Sequence, residues 1–380
     1  MSKKLVYLSN CPSHYSLSLS EAFTKIYGDS FKFITTVRLK EGEGLPSYFG
    51  DTAELPFVLR AYDSPEAGEE ARRMVIDADC VIIGGLPVSD VAERLRAGKL
   101  TFMQSERFFK GPLWKDAVRF AKYCLYSGGR SQARDRRAKF YLLCVSAYAA
   151  RDYSTCGLFR GKSYRWGYFP ELKHWDTLPA KDSGSIIWTG RLISWKHPDL
   201  AVKLAERLKA QGKTFRLKII GSGEMQAELS RMVDALNLHD CVELPGALPV
   251  GKVRTEMERA EISLFTSDRG EGWGVVLNEA MNSGCAVLAD NRAGSTPYLV
   301  RDGHNGLTFK GLDDLTQKVS ALLDAPERCA ELGRNAYKTI AEVWSPDVAA
   351  RRFVELAEAL RTKDSVSLWE DGPGSVAPVI

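Results

Sequence analysis

Glu271 and Glu279 stand eight positions apart around a glycine-rich turn, Gly270-Glu-Gly-Trp-Gly274, which runs into the apolar segment Val275-Val-Leu-Asn-Glu-Ala-Met-Asn-Ser-Gly284. Glycines at 270, 272 and 274 let the backbone turn sharply and let its N–H groups approach a ligand closely. A helix starting at Val275 offers its positive end to a phosphate. The strand Glu261-Ile-Ser-Leu-Phe-Thr266 precedes the turn, so the turn leaves the carboxyl end of a strand, where open α/β sheets bind ligands. Glu279, one turn into the helix, and Glu271, ahead of it, can touch different parts of one elongated ligand. Taken alone the loop has two other readings: a tight turn with solvated glutamates, and a dinucleotide fingerprint, since Gly270-x-Gly272-x-Gly274 approaches G-x-G-x-x-G. Against the fingerprint, the last glycine falls one position early and Glu271 sets a carboxylate where a pyrophosphate belongs.

Two cations occupy another loop of the same kind. Ile187-Trp-Thr-Gly-Arg-Leu192 and Ser194-Trp-Lys-His-Pro198 place Gly190, Arg191 and Lys196 just past a strand. An arginine fork and a lysine point charge suit the two charges of a diphosphate. Lys218-Ile-Ile-Gly-Ser-Gly223 is a further strand ending in glycines, with a plain tight turn as its simplest reading. Val242-Glu-Leu-Pro-Gly246 ends the next strand, where a planar base has Leu244 and Pro245 to rest on.

The elements needed to hold these loops follow from the hydrophobic pattern. At 380 residues the chain exceeds what one core usually supports, so two domains are expected. Short apolar runs at Leu5–Leu8, Phe31–Thr36, Cys80–Ile83, Leu100–Met103 and Leu142–Val145 alternate with helix-length intervals, the rhythm of a parallel sheet. It restarts after Lys181 with strands at Ile186–Thr189, Phe215–Ile220, Cys241–Leu244, Ile262–Thr266 and Ala286–Ala289, separated by amphipathic segments. The reading is α/β: a Rossmann-like domain over 1–170, a hinge over 171–183, a second Rossmann-like domain over 184–343, a helix over 344–361 and a loosely ordered tail over 362–380.

Composition excludes several classes. The longest apolar runs fall short of the roughly 18 residues of a membrane span, and the N-terminus reads as a first strand rather than a signal peptide, so a cytoplasmic protein is expected. The eight cysteines form no C-x-x-C pair and suit small buried hydrophobes better than metal ligands. A net charge of +4 gives no case for nucleic acid.

The set Gly190-Arg191…Lys196, Gly221-x-Gly223, Pro245-Gly246, Glu271-Gly-Trp-Gly…Glu279-Ala-Met-x-x-Gly284 and Asp302-Gly-x-x-Gly306 resembles glycosyltransferase family 4, the retaining enzymes of the GT-B fold. The resemblance covers about residues 184–310. It implies two Rossmann-like domains facing a central cleft, the C-terminal one binding a nucleotide-sugar donor and the N-terminal one an acceptor, with the last helix crossing back to the N-terminal domain. Carried over by position, it implies that Arg191 and Lys196 neutralise the donor diphosphate. Glu279 then accepts hydrogen bonds from ribose hydroxyls. Glu271, with the backbone of Gly272, Trp273, Gly274 and Val275, holds the transferring sugar. The implied reaction moves a hexose from a UDP-sugar, preferred over a GDP-sugar, to a glycan or lipid-linked acceptor in bacterial surface polysaccharide synthesis. It keeps the anomeric configuration and needs no metal or other cofactor. Two other classes share these motifs: a nucleotide-sugar hydrolase or epimerase, and a nucleotide-sugar-binding protein without catalysis.

The N-terminal half departs from that pattern. Its first loop, Ser9-Asn-Cys-Pro-Ser-His-Tyr-Ser16, has no glycine, and Gln104-Ser-Glu-Arg107 stands where a histidine is expected. His14 and Glu106 are the acceptor-side candidates. Asp77-Ala-Asp79 has the D-x-D spacing of metal-dependent transferases but precedes the strand Cys80–Ile83, so it reads as a helix-to-strand connection. Between residues 108 and 140, Phe108, Phe109, Trp114, Phe120, Tyr123 and Tyr126 interleave with nine Lys and Arg against Asp116 and Asp135. Such a stretch either lies on the anionic cytoplasmic face of a membrane or is a solvated helix with inward aromatics.

Overall fold

The computed structural model describes residues 3–38, 55–111, 114–118, 121 and 130–380. The chain divides into two compact units, Met1–Glu171 with Trp344–Ile380, and Leu172–Val343.

The first unit is built on β1 (Leu5–Ser9), β2 (Phe31–Thr35), β3 (Val58–Arg60), β4 (Cys80–Gly84), β5 (Thr101–Ser105), β6 (Phe140–Cys144) and β7 (Ser163–Arg165). They form one sheet in the order β3-β2-β1-β4-β5-β6-β7. All its pairings are parallel. Every residue of β1, β4 and β6 is buried, as strands covered by helices on both faces require. The helix Pro346–Thr362 returns to this unit and sets Phe353 against Phe23 at 5.4 Å and Phe102 at 4.9 Å between ring centres. Asp79 accepts a hydrogen bond from the Lys4 N–H at 2.8 Å and lies 3.5 Å from Arg361; it ties a connection together, as its position before β4 implied.

The tail was expected to be loosely ordered, and it is not. Arg165 N–H donates to the Ser375 carbonyl at 2.7 Å, Gly374 N–H to Arg165 at 2.9 Å, and Ala377 N–H to Ser163 at 3.0 Å. Asp371 pairs with Arg165, and its carbonyl accepts from Arg352 at 2.6 Å. The tail therefore covers the open edge of β7, whose unpaired backbone groups would otherwise face solvent. Low periodicity concealed this because strap residues answer to the edge they cover rather than to a period. Removing residues 363–380 is expected to cost the first unit about 2–4 kcal/mol, the sum of a few net hydrogen bonds and their packing. Urea denaturation followed by tryptophan fluorescence would reveal it, and an unchanged midpoint would refute the strap.

The second unit carries β8 (Asp182–Thr189), β9 (Arg216–Ile220), β10 (Val242–Gly246), β11 (Ala260–Phe265), β12 (Ala286–Asp290) and β13 (Leu307–Phe309), again all parallel, in the order β10-β9-β8-β11-β12-β13. Its core interleaves sheet residues Ile186, Trp188, Ile219 and Leu288 with helix residues Leu204, Leu229 and Val319. Most of the stretch expected as a hinge belongs to this unit. Lys173 and Asn282 exchange two hydrogen bonds of 3.0 Å, and Trp175 N–H donates to the Tyr337 hydroxyl at 3.0 Å. Lys181 donates to the carbonyls of Glu258 and Ser283. Polar side chains fasten the segment down.

Candidate functional site

From β8 the second sheet grows outward through β9 to β10; the chain then returns to the other side of β8 as β11 and continues through β12 to β13. The strand order reverses between β8 and β11. Loops leaving two such strands border the crevice where open sheets take ligands. One runs from Gly190 to His197 and includes the tight turn Ser194–Lys196; the other runs from Thr266 to Gly274.

Polar contacts knit the two loops together. Trp188 Nε1 donates to Thr266 Oγ1 at 2.7 Å, and that hydroxyl donates to the Lys196 carbonyl at 2.6 Å. Asp268 N–H donates to the Trp195 carbonyl at 2.9 Å, and His197 Nε2 lies 3.0 Å from Asp268 Oδ2. His197 takes a left-handed conformation, φ 48°. None of Thr266, His197 or Asp268 stands out in the sequence as a site residue, because their work is to hold the loops that carry one.

Lys196 Nζ forms an ion pair with Glu271 Oε2, their side chains only 12% and 15% exposed. The pair brings together two residues 75 positions apart in the chain. Ser267 Oγ donates to the same carboxylate oxygen at 3.3 Å. The Glu271 backbone is held at both ends, its N–H by Asp268 at 3.0 Å and its carbonyl by Gly294 N–H at 3.2 Å. Arg191 is exposed, its guanidinium 5.8 Å from the centre of the Trp195 ring.

The helix Val275–Asn282 starts at Gly274, whose φ is 84°. A Cβ at Gly274 would lie 2.3 Å from Phe265 Cζ, so glycine alone lets the chain enter the helix this close to the sheet. Gly274 has no side chain to cap the first turn, so the helix start keeps its positive end. Val275 opens the helix half-buried, and Glu279 follows one turn later, also half-buried. Burial raises the Glu279 carboxyl above the ordinary glutamate range, with the positive charge of Arg254 opposing the rise. Arg254 lies on the helix Val250–Arg259 and donates to Asn282 Oδ1 at 2.7 Å; no motif marked it.

Trp273 and its neighbour Gly272 are buried. The Trp273 ring is 0% exposed, donates to Asn278 Oδ1 at 2.8 Å and meets Tyr298 edge-on. Its carbonyl accepts from Ser295 Oγ. The ring anchors the loop in the core, leaving only backbone for a ligand.

The remaining glycines bring backbones together. A Cβ at Gly221 would lie 1.8 Å from the Gly190 carbonyl oxygen, and one at Gly223 2.4 Å from that of Leu192. Gly190 N–H donates to Ile220, Leu192 N–H to Ser222, and Gly221 N–H to Gly246, so the loops after β8, β9 and β10 form one zipped ledge. The Lys196 stem runs beside Gly190, its Cδ 3.3 Å from where a Cβ would stand. At the far end of the ledge Leu244 packs partly into the core and Pro245 is exposed.

The acceptor-side candidates lie in the first unit. His14 opens the helix His14–Tyr27. Glu106, just after β5, accepts from the Tyr168 hydroxyl at 3.0 Å and pairs with Lys110. Tyr168 stacks on Tyr15 with ring centres 4.1 Å apart. Of the basic aromatic stretch, Phe120, Tyr123 and Tyr126 lie outside the described residues. Trp114 and Val118 are exposed at 66% and 51%, whereas Phe108 packs against Phe109 and Tyr153. No helix among the described residues is long and apolar enough to cross a membrane.

Residues 171–339 match the family model described as glycosyl transferases group 1. The putative colanic acid biosynthesis glycosyltransferase WcaL of Escherichia coli is 30% identical over 184 residues, covering 46% of this chain and 45% of that protein. The amylovoran biosynthesis glycosyltransferase AmsK of Erwinia amylovora is 32% identical over 143 residues, covering 36% and 34%. The chain thus spans less than half the length of these curated relatives. Among solved structures, Anabaena HepE in complex with UDP superposes with a TM-score of 0.67 at 13% identity, covering 94% of this chain and 100% of that one. The pneumococcal O-GlcNAc transferase GtfA, in complex with UDP and GlcNAc, gives 0.65 at 12%, covering 96% and 100%. These likenesses establish the GT-B fold class with its two Rossmann-like sheets. Residues 171–339, which match the model of the glycosyl transferases group 1 family, hold the Lys196–Glu271 pair and the helix that begins at Gly274.

Proposed function

We propose that this chain is a retaining glycosyltransferase that moves a hexose from a nucleoside diphosphate donor to a glycan or lipid-linked acceptor in the synthesis of a bacterial surface polysaccharide. The observation that carries the reading is the convergence, at the reversal of strand order, of Lys196, Glu271 and an uncapped helix N-terminus within one crevice. Negative charge grows on a departing diphosphate, and fixed cations with oriented N–H groups stabilise that charge more in the transition state than in the ground state. In this reading Arg191 and Lys196 receive the diphosphate in place of a metal. Glu279 receives the ribose hydroxyls, and Glu271 with the backbone of Gly272, Trp273 and Gly274 receives the sugar. Relatives named for colanic acid and amylovoran synthesis support the polysaccharide role.

UDP is the favoured base, because HepE and GtfA were both solved with it; a mycobacterial relative named as GDP-mannose-dependent makes GDP the comparison. Acceptor contact falls to His14 and Glu106, and exposed Trp114 with Lys115 favours a peripheral position at the cytoplasmic membrane face. A thermal-shift series with UDP, GDP, ADP and their sugar conjugates tests the donor assignment, since a ligand that binds only the folded state raises its stability. Failure of every nucleoside diphosphate to stabilise the protein would overturn it.

A pH dependence follows from Glu279. An ionised carboxylate accepts hydrogen bonds from two hydroxyls with both oxygens, whereas protonation turns one oxygen into a donor and weakens that grip, and this carboxyl takes up its proton above the usual glutamate range. Binding of the preferred nucleoside diphosphate should therefore weaken as pH falls, and should begin to weaken at a higher pH than an ordinary glutamate would set. Glu279→Gln should bind more weakly at high pH and lose this component. Both proteins see the same titration of the nucleotide phosphate, so the difference between their profiles isolates the side chain. Parallel profiles would exclude Glu279 as the group.

A further inference from the structure

Lys196 is the cation assigned to the donor diphosphate, yet its ammonium is held by the Glu271 carboxylate. The two side chains are nearly buried, and Ser267 Oγ donates to the same carboxylate oxygen at 3.3 Å. Arg191 is placed differently. It is exposed over the Trp195 ring and, among the described residues, makes no ion pair. One cation is open to an arriving anion and the other is shielded by a carboxylate of the same crevice.

We propose that Glu271 is a built-in competitor for the diphosphate site. An arriving nucleoside diphosphate meets Arg191 first and then replaces Glu271 on Lys196. The displaced carboxylate, tethered by its fixed backbone, swings to the sugar side, where it accepts hydroxyl hydrogen bonds. Phosphate recognition and sugar recognition are thereby coupled through one side chain. A nucleotide without a sugar breaks the Lys196–Glu271 pair and gives the freed carboxylate nothing to bind, whereas a nucleotide sugar compensates it. Glu271 thus favours intact donor over spent nucleotide and hastens the release of the diphosphate product. This inference rests on the donor-site reading given above.

The sign of the effect is unusual for a site residue, which makes the test sharp. Removing a binding-site carboxylate normally weakens binding or leaves it unchanged. Here Glu271→Gln leaves Lys196 nearly buried and without its counter-charge, so an incoming anion gains the whole interaction. Isothermal titration of UDP, GDP and inorganic pyrophosphate into the full-length wild type, E271Q and E279Q separates the possibilities. Whichever nucleotide the wild type binds should bind E271Q about tenfold more tightly, with pyrophosphate following the same order, while E279Q binds the nucleotide more weakly. The corresponding nucleotide sugar should lose its advantage over the free nucleotide in E271Q. Equal or weaker nucleotide binding by E271Q, with the wild type still binding, overturns the competitor role and leaves the donor site standing. Absence of nucleotide binding by both proteins overturns the donor site and this inference together. Should E271Q lose its cooperative melting, Glu271→Asp, whose shorter side chain stretches the pair, must show the same direction at smaller size.

Discussion

Replacing Gly221 by alanine should destabilise the second unit by about 3 kcal/mol or more and abolish its affinity for nucleoside diphosphates. A Cβ at this position would sit 1.8 Å from the Gly190 carbonyl oxygen and 3.0 Å from its carbon, and both are main-chain atoms of the loop that carries Lys196. Overpacking against a flexible side chain is relieved by a change of rotamer, but backbone against backbone yields only if a loop moves. Moving this loop pulls Gly190 N–H from the Ile220 carbonyl and Leu192 N–H from Ser222. The cost is therefore steric and also falls on the hydrogen bonds that join the two loops. Gly212→Ala is the control: its φ of 71° resembles that of many left-handed glycines, but nothing lies within 4 Å of its Cβ position, so only the backbone preference of about 1 kcal/mol is lost. Thermal and urea unfolding of the two variants, with nucleotide titration, decide the matter. A Gly221→Ala protein that melts with the wild type would show that the ledge is looser than the structure has it.

The contrast between these glycines marks what sequence alone reveals. Gly221 and Gly223 were legible as a strand-ending turn, and Gly274 as the entry to a helix, because spacing from apolar runs fixes where a strand stops. That Gly221 serves the Gly190 loop rather than a ligand was not legible, since the contact joins two loops whose pairing depends on strand order in the sheet. The strand β7 was not legible, because three residues at an edge carry no period and take their order from β6 and the tail. Trp273 was read only for its backbone; that its ring anchors the turn in the core was not legible, because its partners Asn278 and Tyr298 are set by the fold. Lys196 and Glu271 were each assigned to a ligand. Their attachment to one another could not be read from 75 positions of intervening chain.

Replacing Lys196 by methionine should lower turnover of the preferred nucleotide sugar by a factor of about 100 to 1,000, the usual loss when one fixed donor to a developing charge is removed from a site sheltered from water. The same change strips Glu271 of its counter-charge. A carboxylate only 15% exposed and left unpaired costs about 1–3 kcal/mol, less than a fully buried one because some solvent still reaches it. Lost activity alone therefore cannot distinguish a catalytic lysine from one that merely balances a carboxylate. The double variant Lys196→Met/Glu271→Gln makes the distinction. Removing both charges removes the unpaired group, so unfolding should return to near the wild-type midpoint while turnover stays low. Lys196→Arg should not restore it either: the lysine stem passes 3.3 Å from the Cβ position of Gly190, and a planar guanidinium on that path points its fork elsewhere than an ammonium does. Single-turnover release of the nucleoside diphosphate is the measurement, because it reports departure of the leaving group whichever acceptor is used. Recovery of rate together with stability in the double variant would reduce Lys196 to a structural partner of Glu271 and return the diphosphate to Arg191 and the helix N-terminus.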